Sequence, residues 1–216
     1  MYPVIFHNLK GNQMDTILDP KIKSRDLFLK NKAWFEGVGN GLDNLGIYTL
    51  DGGVVYDLDR NPTATKANIA IATSLGITLN KLTSKDDVEK VAAALYDQAY
   101  QRLVIAIPEF KTLSPNSQMI LVSRKYNTGQ SFKNQAKCLA ALERDPSNLD
   151  LLEKAIHEGR TSQLNSTTNT KEYAGGLDNR VVKEFIAAGY VSLSNIEQVT
   201  AVKKALPLFK PHQVLK

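Results

Sequence analysis

Cys138 is the only cysteine in 216 residues, so no internal disulfide can form and stability must come from packing. The three histidines, His7, His157 and His212, lie far apart, with no HExxH arrangement and no cysteine cluster beside them. That excludes the usual ligand patterns of a catalytic zinc, and no metal or cofactor is expected. No GxSxG and no credible Ser-His-Asp set is present, which argues against serine hydrolase chemistry. The glycine-rich GVGNG at 37–41 lacks the GxxxxGK[ST] form and follows a helical stretch rather than a strand, so it is no phosphate loop. No apolar run approaches the roughly 18 residues of a membrane helix. The opening MYPVIFHNLKGNQMD has too short an apolar patch, and no basic start, for a signal segment. The expectation is a chain made in a cytoplasm, which something else must release or deliver if it acts outside.

What is present is ordinary for a globular chain: 43% hydrophobic and 23% charged residues. The length suits one domain, or one domain in two lobes. A net charge of +5 and a pI near 9.1 favour an anionic partner, such as a cell wall. The lysines and arginines are spread out and do not interleave with aromatics, so neither a nucleic-acid groove nor membrane insertion is expected. Cys138 lies in the apolar stretch QAKCLAAL and reads as a small buried hydrophobe.

Residues 1–24 read as an N-terminal extension, with Ser24 as the N-cap of a helix RDLFLKNKAWFEG that stops at the following glycines. Residues 45–59 are the one convincing β stretch: Ile47-Tyr48-Thr49 and Val54-Val55-Tyr56 flank Asp51-Gly52-Gly53, a hairpin signature. Everything after it reads as helical. A short helix covers 66–75. Ser84 caps a long one that Pro108 ends, and Ser114-Pro115 opens another. Helices follow near 131–143 and 148–158, and 160–172 reads as a polar surface loop. Asp178 and Ser194 are expected to cap the last two helices, Ser194 forming a capping box with Glu197, and 206–216 forms a tail. Asp57, Asp59 and Asn61 resemble the start of a calcium loop, but Pro62 stands where glycine is required and no glutamate closes it, so a turn at the hairpin's end is expected.

The segregated pattern is α+β: a small hairpin lobe, a long helix and a helical lobe. Glu36 ends the first helix. Leu29 and Ala33 precede it by seven and three residues, on what is expected to be the buried face. An apolar surround and the negative end of the helix dipole would both keep its carboxyl protonated, as a general acid requires. The plainer reading of the same segment is a solvated glutamate at a helix end.

Asp43 follows in the loop before the hairpin, and Thr49 six residues later in its first strand. With Glu36-Gly37 and Leu45-Gly46-Ile47-Tyr48-Thr49-Leu50, this order resembles the phage lysozymes of glycoside hydrolase family 24. Further blocks are similar in the same order: Gly76-Ile77-Thr78 with Thr83 through Asp87, then Ser117-Gln118 and Tyr126 through Gly129 with Phe132, then Gly176 through Arg180 with Glu184. The resemblance implies a two-lobed lysozyme-like fold over residues 25–205, with residues 25–83 as the hairpin lobe and 84–205 as the helical lobe. It implies an endolysin-type muramidase that hydrolyses the β-1,4 bond between N-acetylmuramic acid and N-acetylglucosamine in the peptidoglycan glycan strand, acting as a monomer. Glu36 would be the general acid, Asp43 the second carboxylate, and Thr49 a holder of water or substrate. Tyr126, Asn127, Gly129 and Arg180 would contact substrate or approach the catalytic glutamate.

The chain departs from the family pattern at Asp51-Gly52-Gly53-Val54, where the family has a Gly-Tyr-Gly-His-type run, and in a shorter interval from Glu36 to Asp43. Asp51 is therefore the alternative second carboxylate. A lysozyme-like wall-binding or virion structural protein without activity, and an antibacterial muramidase toxin of the pesticin type, are the other readings.

Overall fold

The computed structural model describes residues 19–36, 40–42, 47–51, 53–165, 170–173 and 175–214. The first helix, α1 (Pro20–Glu36), begins earlier than the Ser24 cap expected from sequence. Asp19 Oδ1 accepts the Lys21 N–H at 2.8 Å, and Pro20 stands in the first turn, where a missing N–H does no harm. Ser24 is instead buried inside the helix, its hydroxyl donating to Lys21 O. Asp19-Pro20 is the stronger start signal, so residues 20–24 belong to α1 and not to an extension.

A three-stranded antiparallel sheet follows, built from β1 (Gly41–Leu42), β2 (Tyr48–Leu50) and β3 (Val54–Val55). The expected hairpin is β2–β3, with Thr49 opposite Val55 and Leu50 opposite Val54. The edge strand β1, with Gly41 opposite Thr49, lies at the end of a run that sequence alone assigned to a helix stop. Next come α2 (Pro62–Ser74), α3 (Lys85–Ala106), a 3-10 turn at Phe110–Thr112, α4 (Pro115–Thr128), α5 (Lys133–Arg144) and α6 (Leu149–Glu158). The predicted caps hold at both central helices: Ser84 accepts from Asp87 N, and Ser114 from Ser117 N.

Two hydrophobic cores share α3. Its first half gives Val88, Val91 and Ala92 to a small core with Leu50, Val54, Ala72 and Leu79. Its second half gives Tyr96, Ala99, Tyr100 and Leu103 to the large core under α1 and α4–α8. At 22 residues the helix is about 33 Å long, enough to serve both. The architecture is α+β, mostly helical with a small antiparallel sheet. No helix among the described residues is long and apolar enough to cross a membrane.

Four local expectations are corrected. The 160–172 loop contains a second antiparallel hairpin, β4 (Ser162–Asn165) with β5 (Thr170–Tyr173); its polar strands carry no alternating apolar pattern to reveal it. α7 (Gly175–Ala187) starts before Asp178, which is buried and accepts both Arg160 Nε and Nη2 at 3.0 and 3.1 Å instead of capping. α8 (Ile196–Ala205) is capped by Asn195, whose Oδ1 takes the N–H groups of Glu197 and Gln198, and not by Ser194. The expected tail is part of the fold. Leu206, Phe209 and Val214 are buried in the large core, and Trp34 Nε1 donates to Val214 O in α9 (Pro211–Val214).

A buried polar network joins α4, α6 and α7. Glu184 accepts from Ser123 Oγ at 2.7 Å and from Arg180 Nε at 3.1 Å. Arg124, fully buried, donates to Gly159 O and Thr161 Oγ1, stands 3.7 Å from Glu184 and lies over the Phe132 ring. Removing one member of a buried charge set strands the others in low dielectric. Glu184→Ala is therefore expected to lower the unfolding free energy by about 3–5 kcal/mol in a denaturant titration. Lys204→Ala, which removes an exposed pair with Glu153, should change it by no more than about 0.5 kcal/mol.

Candidate active site

The site is built where the first sheet, α2, α3 and the end of α4 meet; α1 packs beside α3 and α4. α1 presents Ser24, Phe28, Lys32 and Phe35 to the interior, while Leu29 is half-buried and Ala33 exposed. The expectation of a buried 29/33 stripe is thus corrected: the aromatic residues one position away set the inward face because their area dominates the burial. The apolar-face argument for a protonated Glu36 falls with it. What remains is position: Glu36 is the last residue of α1. Lys183 of α7 donates to Trp34 O at 2.8 Å, using a carbonyl that the helix end leaves unpaired and offsetting part of its negative pole. Burial and the nearby Arg180 charge both push the Lys183 ammonium below its ordinary pKa. The Glu36 side chain and all of Asp43 lie outside the described residues.

A cavity of about 320 Å3, inside the roughly 300–1,000 Å3 range of small-ligand sites, opens among the first sheet, α2, α3 and the end of α4. The sheet supplies Gly53 and Val55; α2 and its cap supply Asn61, Ala64, Ala67 and Asn68. α3 supplies Leu95, Gln98, Ala99 and Arg102, and the end of α4 supplies Lys125, Tyr126, Asn127 and Gly129. Tyr126, Asn127 and Gly129, singled out from sequence, are thus brought together on one wall. Tyr126 is half-buried with its ring 5.2 Å from Phe28, so it serves both the core and the cavity edge.

Thr49 and Val55 are directly opposed in the sheet, so their side chains share a face, and Val55 lines the cavity. Thr49 is not itself among the lining residues; its hydroxyl is 3.4 Å from Gly41 O. Asp51 is half-buried in the hairpin turn, its N–H held by Asn40 Oδ1 at 2.9 Å, two residues before the lining Gly53. Arg180 is not a lining residue. It is buried, bonded to Glu184 and to Ser123 Oγ.

Sequence reasoning missed Gln98, Arg102 and Lys125. Leu95, Gln98, Ala99 and Arg102 follow helical 3–4 spacing, which marks one face of α3 and could have grouped them. No group of three or more metal-ligating side chains is found among the described residues.

A second cavity, about 380 Å3, lies around Tyr48, Asp57, Arg60 and Lys81. It contains none of the residues singled out for catalysis or substrate binding, and of its two carboxylates, Asp57 and Asp59, the first is structural. Asp57 accepts the N–H groups of Tyr48, Asp59 and Arg60 at 3.0, 3.2 and 2.9 Å, and its own N–H donates to Thr65 Oγ1. It therefore ties β2 to the turn before α2, as the hairpin-end reading of this segment expected. No family profile, curated protein or solved structure matches the chain.

Two measurements test this geometry. Backbone hydrogen bonds, led by that from Arg60, hold the Asp57 carboxyl below its ordinary pKa. A lowered folded pKa means the bonds stabilise above the usual carboxylate range and are lost as pH falls through the lowered value. Hydrogen exchange at Tyr48 and Arg60 should accelerate across that fall, beyond the intrinsic pH dependence; in Asp57→Ala the acid-induced step should vanish and protection at neutral pH should be lower. Gly129 ends α4 with φ 73°, a left-handed conformation that costs a non-glycine residue about 1 kcal/mol. Gly129→Ala should destabilise the fold by about that amount in thermal unfolding.

Proposed function

We propose that the chain is a muramidase, hydrolysing the β-1,4 bond between N-acetylmuramic acid and N-acetylglucosamine in a peptidoglycan strand laid between the lobes of a lysozyme-like fold. The observation that carries this reading is the cavity that Tyr126, Asn127 and Gly129 line. It lies between a small sheet, a helix shared by two cores and the segment Tyr126–Gly129, and it is lined by amides, an aromatic ring and two cations. Amide side chains suit the hydroxyl and N-acetyl groups of such a polymer, and a half-buried tyrosine offers a flat face to a sugar ring.

In this reading Glu36, where α1 runs out, protonates the leaving glycosidic oxygen. Asp43 is the second carboxylate, with Asp51 as the alternative. The second carboxylate either activates water on the opposite face of the sugar or attacks the anomeric carbon directly, depending on its separation from Glu36. Thr49, which shares a sheet face with the lining residue Val55, orients the water or the substrate. The resemblance favours inversion. The protein acts as a monomer, released from a cytoplasm or carried by a virion.

Turbidity of outer-membrane-permeabilised Gram-negative cells tests this directly. Wild type should clear the suspension, and Glu36→Gln should slow clearing by at least about 100-fold, the scale of lost general-acid catalysis. Asp43→Asn and Asp51→Asn, assayed in parallel, identify the second carboxylate by which of them falls with Glu36→Gln. Equal clearing by wild type and Glu36→Gln removes Glu36 from the mechanism. No clearing by wild type favours a wall-binding protein without activity, a reading for which the altered Asp51–Val54 run speaks.

A further inference from the structure

We propose that Arg102 and Lys125 form an anion subsite in the wall of this cavity, and that it takes a carboxylate of the peptide stem attached to the glycan strand. The inference deepens the muramidase reading and rests on it. Both side chains line the same cavity, one from α3 and one from α4, and no acidic side chain lines it among the described residues. Arg102 makes no ion pair with any described residue. Among the described residues the Lys125 ammonium reaches a neutral acceptor, Gly129 O, the carbonyl of the residue that ends its helix. Partial burial, and secondarily the Arg102 charge, push Lys125 below its ordinary pKa, so the two cations feel each other across the cavity wall.

Like charges placed together without a counter-charge are unfavourable, and a bound anion relieves that cost. The rest of the lining is neutral: Gln98 and Asn127 flank the pair with amides suited to sugar hydroxyls and acetamido groups. Two neighbouring cations thus stand in a lining that is otherwise neutral among the described residues. This matches a polymer whose backbone is uncharged and whose anionic groups hang from it. In an intact strand the lactyl carboxyl of muramic acid is consumed as an amide to the stem, so the free carboxylates are those of the stem peptide.

The test is calorimetric binding to the full chain carrying Glu36→Gln, with three probes. These are uncharged chitotetraose, a disaccharide muropeptide bearing its tetrapeptide stem, and the same disaccharide with the stem removed and the lactyl carboxylate free. The muropeptide should bind at least about tenfold more tightly than chitotetraose, the scale of one charge-assisted hydrogen bond. That advantage should shrink with added salt, disappear in Arg102→Gln/Lys125→Gln and persist in Arg102→Lys, while chitotetraose affinity stays unchanged in all of them. Equal muropeptide affinity in the parent and the double variant overturns the subsite and leaves the muramidase reading standing. Equal binding of the stem-free disaccharide and the muropeptide overturns the stem assignment. Binding of none of the three probes sinks both the subsite and the reading under it.

Discussion

Burying Arg124, Arg180 and Glu184 together is the constraint on which the rest of the helical lobe depends. None of the three can be left without partners in a low-dielectric interior, so α4, α6 and α7 must meet with their polar atoms in register. Ser123 and Arg180 serve one Glu184 oxygen; Arg124 reaches the other and continues to Gly159 O and Thr161. Close approach at that end requires Gly159, because a Cβ there would overlap the buried Gln135 amide. Phe132, under the Arg124 guanidinium, holds a left-handed φ of 44°, a strain that the surrounding contacts sustain.

From this network the order passes outward to the site. α7, fixed at Arg180 and Glu184, places Lys183 on the last turn of α1, and Trp34 in that turn is tied to Val214 at the far end of the chain. α4, fixed at Ser123 and Arg124, delivers the next residues, Lys125, Tyr126 and Asn127, to the cavity. On the α4 wall, the lining residues thus follow directly on residues that cannot move. A cavity wall held this way is pre-organised.

The hairpin lobe is secured by different physics. Its core is small, and its polar ties are backbone amides converging on Asp57, with Asn68 Nδ2 donating to Val55 O. α3 is the common beam, apolar toward one core at Val88 and Val91 and toward the other at Tyr96 and Leu103.

Local chemistry made much of this legible in the amino-acid order. The β2–β3 hairpin, the Ser84 and Ser114 caps, Pro108 and the burial of Cys138 follow from rules that act over a few residues, and each stands where it was expected. Tyr126, Asn127 and Gly129 were singled out by the family resemblance and not by a local rule; the structure puts all three at the end of α4, lining the cavity. The inward face of α1, the docking of 206–214, the β4–β5 hairpin and the partnership of Arg102 with Lys125 were decided only by the tertiary structure. In each case the deciding contact lies far along the chain: Trp34 with Val214, Arg124 with Thr161, α3 with α4. Helical or strand periodicity reports which residues share a face. It carries no information about what that face will meet, since that depends on which distant surfaces can bury area and pair charge at the same time.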